Sequence, residues 1–152
     1  ARHYQHSELG YNYRMSNVVA GIGRGQLKVL DKRVDKKNYI YNFYKRELGN
    51  LEGIEFMPNN EWDRPNYWLS VITLNGKIRP IDIMQALEKE NIESRPVWKP
   101  MHLQPFFEKY DYIGNRVSED LFNNGVCLPS DSKMTDSELE RVTKVIKGIW
   151  EA

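Results

Sequence analysis

The run "SNVVAGIGRGQLKVLDKRVDKKNYIYNFYKREL" at residues 16–48 constrains the fold more than any other stretch of this sequence. Val19, Ile22, Leu27, Leu30, Val34, Tyr41, Tyr44 and Leu48 recur near the helical period, with small breaks. Lys and Arg at 28, 32, 33, 36, 37, 45 and 46 cover much of the remaining surface. Ser16 is placed as an N-cap and Gly49-Asn50 as a stop. A helix from about Asn17 to Leu48 is roughly 48 Å long at 1.5 Å per residue. That exceeds an ordinary globular helix, and the glycines mark where it would kink. Each of Gly21, Gly23 and Gly25 costs a helix roughly 1 kcal/mol relative to alanine. Ala20, Gly21 and Gly25 therefore read as a small-residue stripe approached closely by another backbone, a partner helix or a cofactor. Their G-x-G-x-G spacing matches neither nucleotide fingerprint, and the polar "GYNYRMS" ahead of them is no buried strand.

Beyond residue 50 the periodicity changes. "GIEFMP" (53–58) and "YWLSVITL" (67–74) predict strands bounded by turn residues, including Asn75-Gly76, with a polar loop between them. "RPIDIMQALEKENI" predicts a helix with Pro80 in its first turn and Ile83, Met84 and Leu87 on one face. "ESRPVW" returns to an extended segment, and "KPMHLQPFF" is broken by Pro100 and Pro105 into a loop or short turn. A short helix in "RVSEDLFNNG" ends at Gly125, and "VCLPS" is a strand. "MTDSELERVTKVIKGIW" closes with a helix whose Thr135 and Glu138 have capping-box spacing. One long N-terminal helix followed by β-β-α-β-α-β-α predicts an α+β domain, a small sheet with helices packed on it.

The 152 residues carry 22 Lys and Arg against 21 Asp and Glu, a net charge of +1, which argues against a nucleic-acid partner held by bulk charge. The single cysteine, Cys127, lies in the apolar run "GVCLP" and reads as a buried thiol in a reducing compartment. No apolar stretch approaches the roughly 18 residues of a membrane span, and no signal-peptide pattern opens the sequence. His3 and His6 are three apart, but without nearby partners they make a poor metal site.

Two clusters stand out. In an extended "GYNYRMS", Asn12 and Arg14 project to one side and Tyr11 and Tyr13 to the other. An amide and a guanidinium ahead of a helix N-terminus suit a phosphate; the alternative is a helix-entry loop with its tyrosines packed beneath. In "SRPVWKPMHLQPFF", Arg95, Lys99 and His102 alternate with Trp98, Phe106 and Phe107. Cations beside aromatics can grip an anionic, partly planar ligand such as a nucleotide diphosphate. The alternative is a proline-stiffened loop that sinks its aromatics into the core.

Three stretches, "GYNYRMSNVVAGIGRGQLKVLDKRV", "ESRPVWKPMHLQPFF" and "CLPSDSKMTDSELERV", together resemble the C-terminal part of sugar aminotransferases of the DegT/DnrJ/EryC1/StrS group. The resemblance runs from Ala1 nearly to Ala152. "GRGQLKVLDKRV" and "ENIESRPVWKPMHLQP" are most similar to the branch acting on UDP-linked 4-keto-6-deoxy sugars for bacterial surface polysaccharides and glycans. It implies the small C-terminal domain of a fold type I (aspartate aminotransferase-like) enzyme. Residues 1–16 would be the active-site segment leading from a large domain, and 17–152 the small domain with its long connecting helix. In that family the lysine bearing pyridoxal phosphate lies upstream, so no lysine here takes its role and no catalytic residue is assigned to this chain. By motif, Asn12 resembles the residue that reaches across a dimer to the cofactor phosphate. Arg14 resembles its neighbour facing cofactor or sugar-nucleotide phosphates. Trp98, Lys99 and His102 fall in the loop lining the substrate side of the cleft. The resemblance thus implies pyridoxal phosphate, a nucleotide-sugar substrate, an amino-acid donor such as glutamate, a homodimer with a shared active site, and a cytoplasmic setting. Two other readings stand beside it: a non-catalytic module that binds a sugar nucleotide or a partner, and a sugar dehydratase of the same family.

Overall fold

A computed structural model describes residues 3, 5–11 and 13–151. The order is α1 (Asn17–Leu27), α2 (Leu30–Leu48), β1 (Ile54–Phe56), β2 (Ser70–Leu74), α3 (Pro80–Lys89), β3 (Arg95–Pro96), a 3-10 turn (Met101–Leu103), α4 (Val117–Asn124), β4 (Gly125–Leu128) and α5 (Asp136–Trp150). After the opening helices this is the expected β-β-α-β-α-β-α succession.

The single long helix is instead two. The N–H groups of Lys28 and Val29 bond back three residues, to Gly25 O at 3.3 Å and Gln26 O at 3.0 Å. This tightened turn closes α1 a few residues after the glycines, where helix propensity is weakest. Val29 then stands outside helical geometry, with φ −118° and ψ 8°, as the N-cap of α2. The two helices also differ in what they bury. α1 has no buried residue, and the predicted apolar stripe is buried only along α2, at Tyr41, Tyr44 and Leu48, where Ile40 and Phe43, outside the stripe, join it.

The sheet is antiparallel in the order β1-β2-β4-β3. Strand β2 alternates as its sequence predicts: Ser70, Ile72 and Leu74 are buried, Val71 and Thr73 half-buried. Ile54, Ile72, Leu74, Val126 and Leu128 pack against α2, α3 and α5 through Ile40, Tyr44, Leu48, Ile83, Leu87, Leu139 and Ile146. The expected sheet-and-helix layering therefore holds for these three helices, whereas α4 lies outside that core and rests on β2 and β4. Thr135 caps α5 as predicted: its Oγ1 accepts from Glu138 N–H, and Glu138 Oε2 accepts from Thr135 N–H at 2.7 Å. Lys147 reaches Glu47 at 2.9 Å and ties α5 to α2.

Candidate functional site

The segment entering α1 is extended at Ser16, whose side chain accepts from Val19 N–H at 3.2 Å and caps the helix. The rings of Tyr11 and Tyr13 stack at 5.4 Å, so they share one side of the chain, as alternation requires. They are 68% and 84% exposed, so within this chain the helix-entry loop is not packed on its tyrosines. Arg14 is exposed just ahead of the α1 N-terminus, and the first turn of α1 carries no acidic residue. A guanidinium beside an uncompensated helix N-terminus fits a phosphate group. Asn12, its companion in the sequence, lies outside the described residues.

The second cluster starts at the sheet. Arg95 pairs with Cys127 and Pro96 with Val126, so β3 leaves the edge at Val97. Val97 sits so close to the α4–β4 junction that a Cβ at Gly125 would meet its Cγ2 at 2.5 Å and Leu121 O at 2.4 Å. Glycine is what lets the loop begin there. Trp98 then stacks on Trp68 at 5.8 Å and remains 45% exposed. Lys37 supports the same wall, because its Nζ donates to Trp68 O at 2.9 Å and also to Ser130 O. Burial pushes the Lys37 ammonium below its ordinary range.

A cavity of about 310 Å³ lies between the second cluster and His6, lined by His6, Trp98, Lys99, Met101, Gln104 and Leu121 among others. Its lining holds no carboxylate. A larger cavity of about 690 Å³ opens beyond Trp98, but Glu93, Asp131 and Glu138 share it with Arg95 and Arg141. An anionic ligand is better matched to the smaller cavity and its lysine. Arg95 pairs with Glu93, Nε to Oε1 at 2.7 Å, and is not brought to Lys99's cavity.

His102 is placed differently from Trp98 and Lys99. Its ring stacks on Tyr112 at 3.7 Å, its Nε2 lies 3.2 Å from Glu119 Oε1, and its side chain is 16% exposed. It fastens the 3-10 turn to α4 and does not line the cavity. Phe106 and Phe107 are half-buried and meet edge to face at 5.0 Å, outside the core cluster. The loop thus does not sink its aromatics into the core.

The sequence marks neither Gln104 nor Trp68 as a site residue, and offers His6 only as half of a poor metal pair. The one signal for Gln104 is an amide wedged between Leu103 and Pro105, and for Trp68 a bulky indole ahead of a strand. Among the described residues no group of three His, Cys, Asp or Glu could hold a metal ion, and His6 instead gives its backbone N–H to Gln104. No helix among them is long and apolar enough to cross a membrane. Burial raises the Cys127 thiol to about 11, so it stays protonated and unreactive.

The model of the DegT/DnrJ/EryC1/StrS aminotransferase family matches residues 1–147. The chain is 52% identical over 147 residues to a UDP-4-amino-4,6-dideoxy-N-acetyl-beta-L-altrosamine transaminase of Campylobacter jejuni, covering 95% of this chain and 39% of that protein. It is 49% identical over 154 residues to EpsN of Bacillus subtilis, covering 99% and 40%. The chain spans about 40% of the length of the curated relatives it matches. Among solved structures, Helicobacter pylori PseC, an aminotransferase of pseudoaminic acid biosynthesis, superposes with a TM-score of 0.78 at 18% identity, over 95% of this chain and 40% of that one.

Proposed function

This chain belongs to the DegT/DnrJ/EryC1/StrS aminotransferase family, and from that premise we propose that it is the C-terminal portion of a nucleotide-sugar aminotransferase. The full enzyme would pass an amino group from glutamate to a UDP-linked 4-keto-6-deoxy sugar in the cytoplasm, for a bacterial polysaccharide or glycan. The observation that carries this reading is the carboxylate-free cavity holding Lys99 and Trp98 beside the segment that leads to Arg14. The identity to the Campylobacter transaminase supports the UDP-linked substrate.

Pyridoxal phosphate, when bound, supplies the electron sink that lets an amino group leave one carbon skeleton and enter another. Arg14, with Asn12, would hold its phosphate, the guanidinium matching two phosphate oxygens at once. Residues 1–16 would lead from the large domain, and the small domain would begin at Asn17. Lys99 offers a point charge to the sugar-nucleotide diphosphate, and Trp98 an apolar face that excludes water. We assign to His102 the holding of the turn that presents them. The exposed apolar face of α1, with Val18, Val19, Ile22 and Leu27 between 53% and 72% exposed, supports a homodimer in which the partner completes the site.

The test is amino-sugar formation by the full-length protein, followed by mass spectrometry with glutamate and a panel of UDP-, GDP- and dTDP-linked 4-keto sugars. Lys99→Ala should raise KM for the nucleotide sugar about tenfold, the loss of one charged hydrogen bond, and leave the half-reaction with glutamate unchanged. Loss of water from the sugar without amination would identify a dehydratase. Binding without either reaction would identify a non-catalytic module.

A further inference from the structure

We infer that Gln104 is a positioning residue that locks the cofactor-side segment and the substrate-side loop into one rigid unit. The inference rests on the functional reading above for its consequence, and on geometry alone for the lock. Gln104 is 2% exposed, although it sits in a loop broken by Pro100 and Pro105. Its Oε1 accepts from the backbone N–H of His6 at 2.9 Å, across 98 residues of sequence. Its Nε2 donates to the backbone O of Lys99 at 3.2 Å. One planar amide therefore grips the main chain on both sides of the carboxylate-free cavity. Both contacts are to backbone, so they fix the path of the chain without engaging the Lys99 side chain.

The loop cannot supply this rigidity itself. Its own backbone bonds are local: Leu103 N–H to Pro100 O at 3.1 Å, Gln104 N–H to Met101 O at 3.0 Å, and Phe107 N–H to Gln104 O at 2.8 Å. They shape a turn without placing it. His102 anchors the same turn from the other side, through Glu119 and Tyr112 on and beside α4. The His102 contacts set where the turn lies on the small domain, and the Gln104 contacts set how the N-terminal segment meets it. An amide suits this position because it pairs a backbone donor and a backbone acceptor at once. A carboxylate would accept from His6 N–H but set its second oxygen against the Lys99 carbonyl.

The experiment compares full-length wild type with Gln104→Met, which keeps volume and removes the side-chain hydrogen bonds to His6 and Lys99, and Gln104→Glu. Hydrogen–deuterium exchange is read for peptides covering residues 5–11, 97–104 and 70–74, and KM for the nucleotide sugar and kcat are measured from pH 5 to 8. In Gln104→Met, exchange in the first two peptides should rise together while strand β2 stays protected. KM should rise about tenfold, with kcat changed less, as for losing a buried polar pairing. Gln104→Glu should behave likewise at pH 8 and recover towards wild type as pH falls, because a buried carboxyl is readily protonated and then donates to Lys99 O while accepting from His6 N–H. Gln104→Met should show no such recovery. Unchanged exchange at residues 5–11 in Gln104→Met would overturn the lock. Raised exchange with unchanged KM would overturn its role in the site and leave the aminotransferase reading intact. A wild type that binds no nucleotide sugar would sink that reading, while the exchange data still decide the lock.

Discussion

Replacing Gly25 by leucine separates what this chain requires of α1 from what its assembly requires. A Cβ built at Gly21, Gly23 or Gly25 meets nothing within 4 Å, and α1 buries no residue. Within the chain the substitution has no clash to relieve. Leucine then improves helix propensity by about 0.8–1 kcal/mol, roughly a fivefold fall in the local opening equilibrium. Amide exchange in α1 of the 152-residue chain should slow by about that factor, with exchange in α2 unchanged. In the full-length protein the prediction reverses sign. If a second subunit lies over the Ala20–Gly21–Gly25 face, the added side chain overpacks the contact and costs about 1–3 kcal/mol. Light scattering should then show a weaker dimer, or cofactor should dissociate faster from an intact one. Faster α1 exchange in the 152-residue variant would refute the open surface. A full-length variant that stays dimeric and fully active would refute the interface and place the glycines elsewhere, such as against the enzyme's own large domain.

Two further outcomes follow from the chemistry of the small domain. Thr135→Ala removes the cap of α5 and should cost about 1 kcal/mol, or about 3 °C in Tm for a chain of this size, read by circular dichroism. Hydrogen bonds from the backbone and side chain of Thr135 hold the Glu138 carboxyl below its ordinary 4.5. Its stabilisation is therefore present above that pH and is lost as pH falls through the lowered native value. Thr135→Ala should flatten that acid-side loss only in part, because alanine keeps the backbone N–H that bonds Glu138; Glu138→Gln should abolish it, and an equally steep curve there would contradict the assignment. Cys127, raised to about 11 by burial, should resist a thiol reagent at pH 8 in the native protein and react stoichiometrically in denaturant. Rapid native labelling would show that the β3–β4 edge opens.

The sequence by itself determined the order of elements from β1 to α5, the capping box at Thr135, the start of α1 at Ser16 and the family. These are local matters: a cap needs three residues, a strand needs alternation, and a motif is read along the chain. It also singled out the loops of Arg14, Trp98 and Lys99, motifs whose residue types are unusual for a surface. What only the tertiary structure decided is which of them meet. The break at Lys28–Val29 depends on hydrogen bonds that choose an i−3 over an i−4 partner, a balance of tenths of a kcal/mol that periodicity does not resolve. The burial of Tyr44 and exposure of Ile22 could not be told apart, because both fit one apolar stripe and only packing against the sheet distinguishes them. His102 reads like Lys99 in the sequence, yet its ring is taken up by Tyr112 and Glu119, which arrive from a separate loop and helix. Gln104 is the clearest case. It bonds to His6, 98 residues away, and to Lys99, 5 residues away, and a contact across 98 residues leaves no periodic trace in a single sequence.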